Sequence, residues 1–250
     1  MNPTDYMLRL AASDLGRSYK SMVRDQLRLS SGGRVLDLGC GPGADLSDYA
    51  DLVGPSGAVV GVERDDAAAE AARNRTLHLP QVHVHVGDVH QLDVADDSFD
   101  AVHTDRVLQH VGNPTAVLAE ATRVLRPGGR AAFAEPDWET LVIDHPEPRL
   151  STSYTRYVTE IQVRNARIGR QLPRLAREAG LAVEAVIPVT AVFDDARAAD
   201  MILGLHRVTE RAVEHTLMTP DDGRHWLDHL STTGAFFAAV SVFVTIAVKA

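Results

Sequence analysis

The stretch VLDLGCGPG, residues 35–43, decides the fold of this chain. Its first half reads as the end of a buried strand, and its second half is a turn with three glycines at alternate positions: Gly39, Gly41 and Gly43. Glycine lets the backbone bend sharply and lets a ligand approach where a Cβ atom would collide. A helix that begins directly after the turn offers unpaired N–H groups. The stretch therefore predicts a strand, turn and helix that bind a ligand, with Asp37 at the strand end.

Short apolar strands and helical patterns alternate through the following hundred or so residues. The predicted strands are Arg34–Cys40, Ala58–Glu63, Val82–Val86, Phe99–Thr104 and Arg130–Glu135, and the predicted helices are Ala44–Leu52, Asp65–Leu77 and Pro114–Leu125. Helix punctuation agrees, since Asn113 can cap the last of these helices and Pro114 suits its first turn. The alternation predicts a parallel sheet covered on both faces, which is a doubly wound, Rossmann-like α/β fold.

Both ends of the chain depart from this alternation. The stretch Tyr6–Leu29 has the apolar spacing of a helix, and two β-rich runs, Ala182–Phe193 and Phe236–Val248, lie near the C-terminus. A final strand with no helix after it joins a sheet most easily in the antiparallel sense. We expect one domain over residues 1–250, with a helical cap (1–30), a cofactor-binding core (31–136), two helical lid segments without clear strands (137–172 and 194–230) and a terminal strand (236–250).

Composition narrows the class of protein. The chain has 250 residues, 45% of them hydrophobic, and a formal net charge of −9, which disfavours broad binding to nucleic acid or to an anionic membrane surface. The longest apolar stretch, 235–248, is shorter than the ~20 residues of a membrane span. One cysteine excludes an internal disulfide framework. We expect a compact cytoplasmic protein, either a monomer or a homodimer.

Carboxylates are expected at the ends of three successive strands. Asp37 ends the first strand and Glu63 the second, while Asp88 follows the third. The spacing from Gly43 to Glu63 matches the ~20 residues between a nucleotide-binding turn and the acid that binds the ribose hydroxyls. Asp88 is placed to accept from an adenine amino group, with Val89 against the ring. These acids predict an adenosine site at one edge of the sheet.

The charge around the turn discriminates between adenosine cofactors. The pattern from Gly39 to Ala44 also satisfies the dinucleotide motif G-x-G-x-x-G/A, which leaves a nicotinamide cofactor open. A pyrophosphate disfavours acidic surroundings, however, and Asp37, Asp45 and Asp48 lie close to the turn in sequence. S-adenosylmethionine carries a sulfonium and an amino group and suits this environment. The electrostatics therefore favour S-adenosylmethionine, with S-adenosylhomocysteine as the product of its use.

The chain resembles the class I S-adenosylmethionine-dependent methyltransferases of the ubiquinone/menaquinone type. The resemblance rests on VLDLGCGPG (35–43), GVERD (61–65), the segment 87–111, LRPGGRAAFAEPDW (125–138) and the C-terminal run 236–249. It implies a seven-stranded sheet with an antiparallel last strand. It also implies cofactor contacts from Asp37, Gly39, Gly41, Gly43, Glu63, Asp88 and Val89, and a place for Asp105 and Arg106 beside the methionine moiety.

His110 is the best candidate for an acid–base group. It follows Arg106 by about one helical turn, and its unperturbed pKa of ~6.5 suits removal of a proton near neutral pH; a structural or cofactor-lining role is the alternative. His83 and His85 share one face of a strand and are interpreted as the polar face of an edge strand, so no metal site is predicted. Acceptor contacts are possible from the lid residues Trp138, Tyr154, Tyr157 and His206, and from the arginines at 164, 167, 170, 174 and 177.

Two other functions remain open from the sequence. One is an NAD(P)-dependent oxidoreductase, which the predicted antiparallel last strand disfavours. The other is a non-catalytic protein that keeps the fold and binds the cofactor without transferring a methyl group. Methyl transfer to a small-molecule carbon, oxygen or nitrogen atom is the preferred hypothesis.

Overall fold

The structure is a computed structural model that describes residues 14–232 and 234–250. In chain order its elements are α1 (Asp14–Leu27), β1 (Arg34–Leu38), α2 (Leu46–Val53), β2 (Ala58–Glu63), α3 (Asp66–Thr76), β3 (Val82–Val86), β4 (Phe99–Asp105), α4 (Pro114–Val124), β5 (Leu125–Ile143), α5 (Pro148–Tyr157), a π-helical turn (Val158–Gln162), α6 (Ile168–Glu178), β6 (Leu181–Phe193), α7 (Ala196–Leu203), α8 (Leu205–Glu214), α9 (Pro220–Thr232) and β7 (Ala238–Lys249). The part of the predicted N-terminal helix before Asp14 lies outside the described residues.

The seven strands form a single sheet with the order β3-β2-β1-β4-β5-β7-β6. The first five strands are parallel, and β7 lies antiparallel between β5 and β6. The strand order reverses between β1 and β4, which is where doubly wound sheets bind their ligands. The predicted Rossmann-like α/β fold with an antiparallel last strand is confirmed.

Local sequence explains the helices beside the sheet. The Asp65 side chain accepts from Ala68 N at the start of α3, and the Asn113 side chain accepts from Ala116 N at the start of α4. These are N-cap hydrogen bonds, each worth about 1 kcal/mol. They set where each helix begins, and therefore how the loops after β2 and before α4 approach the sheet edge.

Strand β5 is much longer than the sequence indicated. It was predicted over Arg130–Glu135, but it runs from Leu125 to Ile143, because β7 pairs with it as far as Ile143. The expectation that 137–172 lacks strands was therefore wrong for residues 137–143. The proline-rich stretch that follows does lead into helices, as predicted for this lid.

The lid helices pack on a hydrophobic core of their own, separate from the two that line the sheet. Trp226 of α9 is fully buried and stacks on Tyr154 of α5, with ring centroids 5.5 Å apart. Ile143 and Ala238, paired at the far end of β5 and β7, also belong to this core. The extended strands thus carry the lid beyond the parallel part of the sheet.

Helix α1 packs on one face of the sheet. Tyr19, Val23 and Leu27 are buried at helical spacing and pack with residues of β1, β5 and β7. Arg130 of β5 donates to Gln26 O at 2.7 Å. These contacts hold α1 over the middle of the sheet. No helix within 14–232 and 234–250 is both long enough and apolar enough to cross a membrane.

Candidate cofactor-binding and active site

The glycine turn after β1 depends on backbone conformations that other residues resist. Gly39, Gly41 and Gly43 all have positive φ values, of 70°, 53° and 77°. A Cβ atom on Gly39 would lie 2.5 Å from Val107 Cγ2, and one on Gly43 would lie 3.0 Å from Ala72 Cβ. The turn is therefore wedged between the loop after β4 and helix α3.

Replacing Gly39 by alanine is expected to destabilise the fold by about 1–3 kcal/mol, because the substitution combines strained φ with a steric conflict at Val107. Chemical denaturation measures the change. Gly112→Ala is the matched control, since a Cβ atom there meets nothing within 4 Å. Equal stability of the two variants would contradict the close packing of the turn.

Asp37 ends β1 and is buried, with only 3% of its surface exposed. Its carboxylate pairs with His103 Nδ1 of β4 at 3.0 Å, and His103 in turn contacts the ring of Tyr49. Burial raises the pKa of Asp37. Burial alone would lower the pKa of His103, but the hydrogen bond and charge of Asp37 raise it. The pair holds a proton inside the sheet edge and fixes the Asp37 carboxylate.

Glu63, at the end of β2, reaches back to the glycine turn. One of its carboxylate oxygens accepts from Gly41 N at 2.9 Å, and the other accepts from Arg64 N and Asp65 N at 2.8 and 3.0 Å. The side chain is half-buried. Glu63 therefore links the end of β2 to the turn that follows β1.

Asp88 and Val89 follow β3 and differ in exposure. The Asp88 side chain is 70% exposed and pairs with His90 Nδ1 at 2.5 Å. Its hydrogen bonds to the backbone and ring of His90 lower the pKa of Asp88. Val89 is buried. The structure thus places a carboxylate and an apolar side chain side by side, one turned outward and one inward.

A cluster of charges lies between helix α1 and the strand ends. Asp37, Asp45 and His103 bring oxygen and nitrogen atoms within 4.8 Å of one another, which is an arrangement able to hold a cation. The ammonium of Lys20 contacts Asp45 and lies 2.8 Å from Asp105. The sequence pattern did not single out Lys20, whose only signal is a polar residue inside the buried stripe of an amphipathic helix.

Asp105 is the centre of this cluster. It accepts from Tyr19 Oη at 2.6 Å and from Arg106 Nε at 3.0 Å, besides its ion pair with Lys20. Although burial opposes it, the positive charges of Arg106 and Lys20 hold the pKa of Asp105 well below its usual range. Asp105 therefore stays ionised and ties α1 to the end of β4.

The turn after β4 rests on a buried carboxylate that the sequence pattern did not identify. Glu135 of β5 is fully buried and accepts three backbone N–H groups, from Val107 at 2.7 Å, Leu108 at 2.6 Å and Gln109 at 3.2 Å. The turn begins at Arg106, whose φ of 58° is left-handed. Glu135 thus stabilises a strained turn whose N–H groups would otherwise be unpaired inside the protein.

The lid holds the same turn from the opposite side. Asn165 Nδ2 donates to Leu108 O at 2.8 Å and to Val111 O at 2.9 Å, and Trp138 Nε1 donates to the Gln109 side chain at 2.8 Å. The loop after β4 is therefore fixed both by the sheet and by the lid.

His110 lies at the end of this turn and is exposed. Its backbone N–H donates to Val107 O at 2.9 Å. Partial desolvation of the ring and the positive charge of Arg64 lower the pKa of His110. The imidazole is therefore neutral near pH 7 and able to accept a proton.

Several weaker candidates from the sequence have structural partners. Tyr154 and Tyr157 are buried in the lid core. Arg170 pairs with Asp137 and Glu139, while Arg167 pairs with Glu139. Cys40 is buried, and burial raises the pKa of its thiol. Arg174 pairs with Glu178, and His206 pairs with Asp200. His83 and His85 are exposed on the edge strand β3. None of these observations favours an acceptor contact.

The chemistry of this cleft fits a cationic adenosine cofactor. The tight turn at Gly39–Gly43 allows close approach to the backbone, and the carboxylates of Glu63 and Asp88 can accept hydroxyl and amino protons. The buried acids Asp37 and Asp105 favour positive charge between β1 and β4. These acceptors and negative charges suit the hydroxyl, amino and sulfonium groups of S-adenosylmethionine.

Comparison with known proteins identifies the family. Residues 29–180 match the sequence model of a family described as "Methyltransferase domain". The chain is 52% identical over 242 residues to an uncharacterized 37.1 kDa protein in transposon TN4556 of Streptomyces fradiae, covering 97% of this chain and 70% of that one. It is 30% identical over 134 residues to the ubiquinone/menaquinone biosynthesis C-methyltransferase of Geobacter sulfurreducens, and that match spans 52% of either protein.

Solved structures agree with the fold. A putative methyltransferase from Bacillus halodurans superimposes with a TM-score of 0.65 at 17% identity, covering 93% of this chain and 99% of that one. Geranyl diphosphate C-methyltransferase from Streptomyces coelicolor, solved with S-adenosylhomocysteine, gives a TM-score of 0.59 at 15% identity and covers 94% of this chain and 78% of that one. The chain belongs to the methyltransferase-domain family, and its sequence and fold are those of the class I S-adenosylmethionine-dependent methyltransferases.

Proposed function

We propose that this protein binds S-adenosylmethionine and transfers its methyl group to a carbon, oxygen or nitrogen atom of a small-molecule acceptor. One observation carries the proposal: the ends of β1, β2 and β4 bring Asp37, Glu63 and Asp105 around a glycine turn, on the side of the sheet where its strand order reverses. Acids in that position suit a cofactor with positive charge and adenosine hydroxyl groups.

Each predicted site residue then has a role at the cofactor. Glu63 would accept from the ribose hydroxyls and Asp88 from the adenine amino group, with Val89 against the ring. Gly39, Gly41 and Gly43 would let the methionine moiety approach the backbone. Asp37 and the Asp105–Arg106 pair would lie beside that moiety. The buried Asp37–His103 hydrogen bond supports this role, because it keeps the Asp37 carboxylate in place.

The protein contributes positioning rather than covalent chemistry. When bound, the cofactor would supply a sulfonium methyl group, which would pass in line to the nucleophilic atom of the acceptor as its bond to sulfur breaks and S-adenosylhomocysteine leaves. The turn 106–111 is held by Glu135 on one side and by Asn165 and Trp138 on the other, so little motion is left where the acceptor would sit. The relatives named as quinone-biosynthesis and geranyl diphosphate methyltransferases act on small molecules, which supports the same acceptor class here.

The proposal has a two-part test. Calorimetry of purified protein with S-adenosylhomocysteine should show binding at micromolar concentrations, and labelled S-adenosylmethionine should transfer its methyl group to a component of a metabolite extract. Absence of binding at high micromolar ligand would refute the proposal. Tight binding without transfer to any fraction would instead identify a protein that keeps the cofactor without methylating.

His110 is expected to act as a base for acceptors that arrive protonated. For such an acceptor, His110→Ala should lower kcat about 100-fold, while affinity for S-adenosylhomocysteine changes less than about threefold. The neutral imidazole is the active form, so the rate should fall as pH drops through the pKa of His110. Because that pKa is lowered, the inflection should lie below the usual value of about 6.5.

A pH–rate profile of both proteins checks this expectation, with exposed His78→Ala as the control. The variant should lose the acidic limb of the profile. Full activity of His110→Ala on the native acceptor would remove the base role.

A further inference from the structure

Lys20 is an unusual residue in this site. It is one of two lysines in the chain, and its side chain is only 7% exposed. Lysine is rarely buried unless its charge is paired, because removing an ammonium from water is costly. The apolar residues Tyr19, Val23 and Leu27 already anchor α1 to the sheet. The helix is thus anchored by apolar packing as well as by the ion pairs of Lys20.

The position of the ammonium relates it to the cofactor cleft. Lys20 Nζ lies between Asp45, on the loop after β1, and Asp105, at the end of β4. These are the two segments on either side of the place where the sheet order reverses. An ammonium has three N–H donors, and the two carboxylates account for two of them. The charges of Asp105 and Asp45 raise the pKa of Lys20 despite its burial, so the group remains a cation.

The methionine moiety of the proposed cofactor carries a carboxylate as well as an amino group. The acids Asp37, Asp45 and Asp105 suit the amino group and the sulfonium, but the carboxylate needs a cation. Among the described cations beside these acids, Arg24 pairs with Asp48 at 2.7 Å and lies 3.8 Å from Asp45, and Arg106 donates twice to Asp105. Of these three described cations, Lys20 is the one that contacts two of the acids, Asp45 and Asp105.

We propose that Lys20 binds the α-carboxylate of the cofactor, an inference that rests on the proposed function. Tyr19 supports this role, because its hydroxyl donates to Asp105 and holds the acid that positions the ammonium. Helix α1 then contributes directly to recognition of the amino-acid end of the cofactor. The adenosine end is left to Glu63 and Asp88.

The test compares two ligands that differ only in the carboxylate. Calorimetry measures affinity for S-adenosylhomocysteine and for its decarboxylated analogue, S-adenosyl-3-thiopropylamine. Lys20→Met should weaken S-adenosylhomocysteine binding at least about tenfold, as expected for loss of one charge-assisted hydrogen bond, and the analogue less than about threefold. Lys20→Arg keeps the charge and should retain most of the difference in affinity between S-adenosylhomocysteine and its decarboxylated analogue. Arg28→Met, an exposed position directly after the same helix, is the charge-matched control and should change neither affinity by more than about threefold.

A second measurement uses the wild-type protein and is independent of the variants' stability. Since the chain has two lysines, labelling with ¹⁵N-lysine gives two Nζ signals, and Lys249→Arg assigns them. S-adenosylhomocysteine should shift the Lys20 signal clearly more than the decarboxylated analogue does. Equal shifts with both ligands, an equal loss of both affinities in Lys20→Met, or tighter binding in that variant would overturn the inference. If the wild-type protein binds neither ligand, the proposed function fails instead.

Discussion

Replacing Glu63 by alanine is expected to weaken S-adenosylhomocysteine binding about 30- to 100-fold. The carboxylate accepts from the backbone of Gly41, Arg64 and Asp65 in the structure and, in the proposed function, from the ribose hydroxyls. Hydrogen bonds to a charged group contribute about 1.5–3 kcal/mol, and each 1.4 kcal/mol is a factor of ten in affinity. The variant also leaves the glycine turn without the carboxylate that holds Gly41 N.

Calorimetry of three variants separates these effects. Glu63→Gln keeps an acceptor oxygen but loses the charge, and should lie between the wild type and Glu63→Ala. Glu70→Ala removes an exposed carboxylate on α3 that pairs with Arg73, and should bind the ligand normally. If Glu63→Ala folds and binds with unchanged affinity, the ribose does not contact Glu63.

Replacing Glu135 by glutamine is expected to lower the rate of methyl transfer about 100-fold and the free energy of unfolding by about 2–4 kcal/mol. The carboxylate is fully buried and accepts three N–H groups of the turn 106–111. An amide has one acceptor oxygen and turns its own N–H groups toward these donors, so at least one buried N–H loses its partner. The turn would then shift where the acceptor is positioned, and such misplacement can cost two orders of magnitude in rate.

Glu139→Gln is the matched control, because Glu139 lies on the same strand but is exposed and pairs with Arg167 and Arg170. Its rate and stability should stay close to those of the wild type. Unfolding curves and single-turnover rates measure both quantities. A Glu135→Gln variant with normal stability and rate would show that the turn does not depend on this carboxylate.

Much of the fold could be predicted from sequence because its signals are local. The apolar runs of β1 and β2 and the capping residues Asp65 and Asn113 each act within a few residues, and the structure confirms those elements with boundaries that differ by one or two residues. The length of β5 could not be predicted in this way. Residues 137–143 are a strand because β7, about a hundred residues later in the chain, pairs with them.

The packing of the lid could not be predicted from sequence either. Its helical character was correctly expected from sequence, but Tyr154 and Tyr157, which could have contacted an acceptor, are core residues of the lid. The helix periodicity of α5 indicates which side chains share a face, but not which other segment covers that face. Here α9 covers it, with Trp226 stacked on Tyr154.

The sequence by itself determined the glycine turn and the order of acids at the strand ends. Tolerance of positive φ is a property of glycine itself, which Gly39, Gly41 and Gly43 use, and the ends of parallel strands meet at one edge of a sheet whatever packs around them. Only the tertiary structure decided what fixes these groups. Tyr19 reaches Asp105 across 86 residues, Glu135 reaches the turn after β4, and His103 reaches Asp37, because the sheet order sets β4 between β1 and β5 and α1 packs across them. Such partners are distant in sequence, and their contacts exist only after the strands and α1 have assembled.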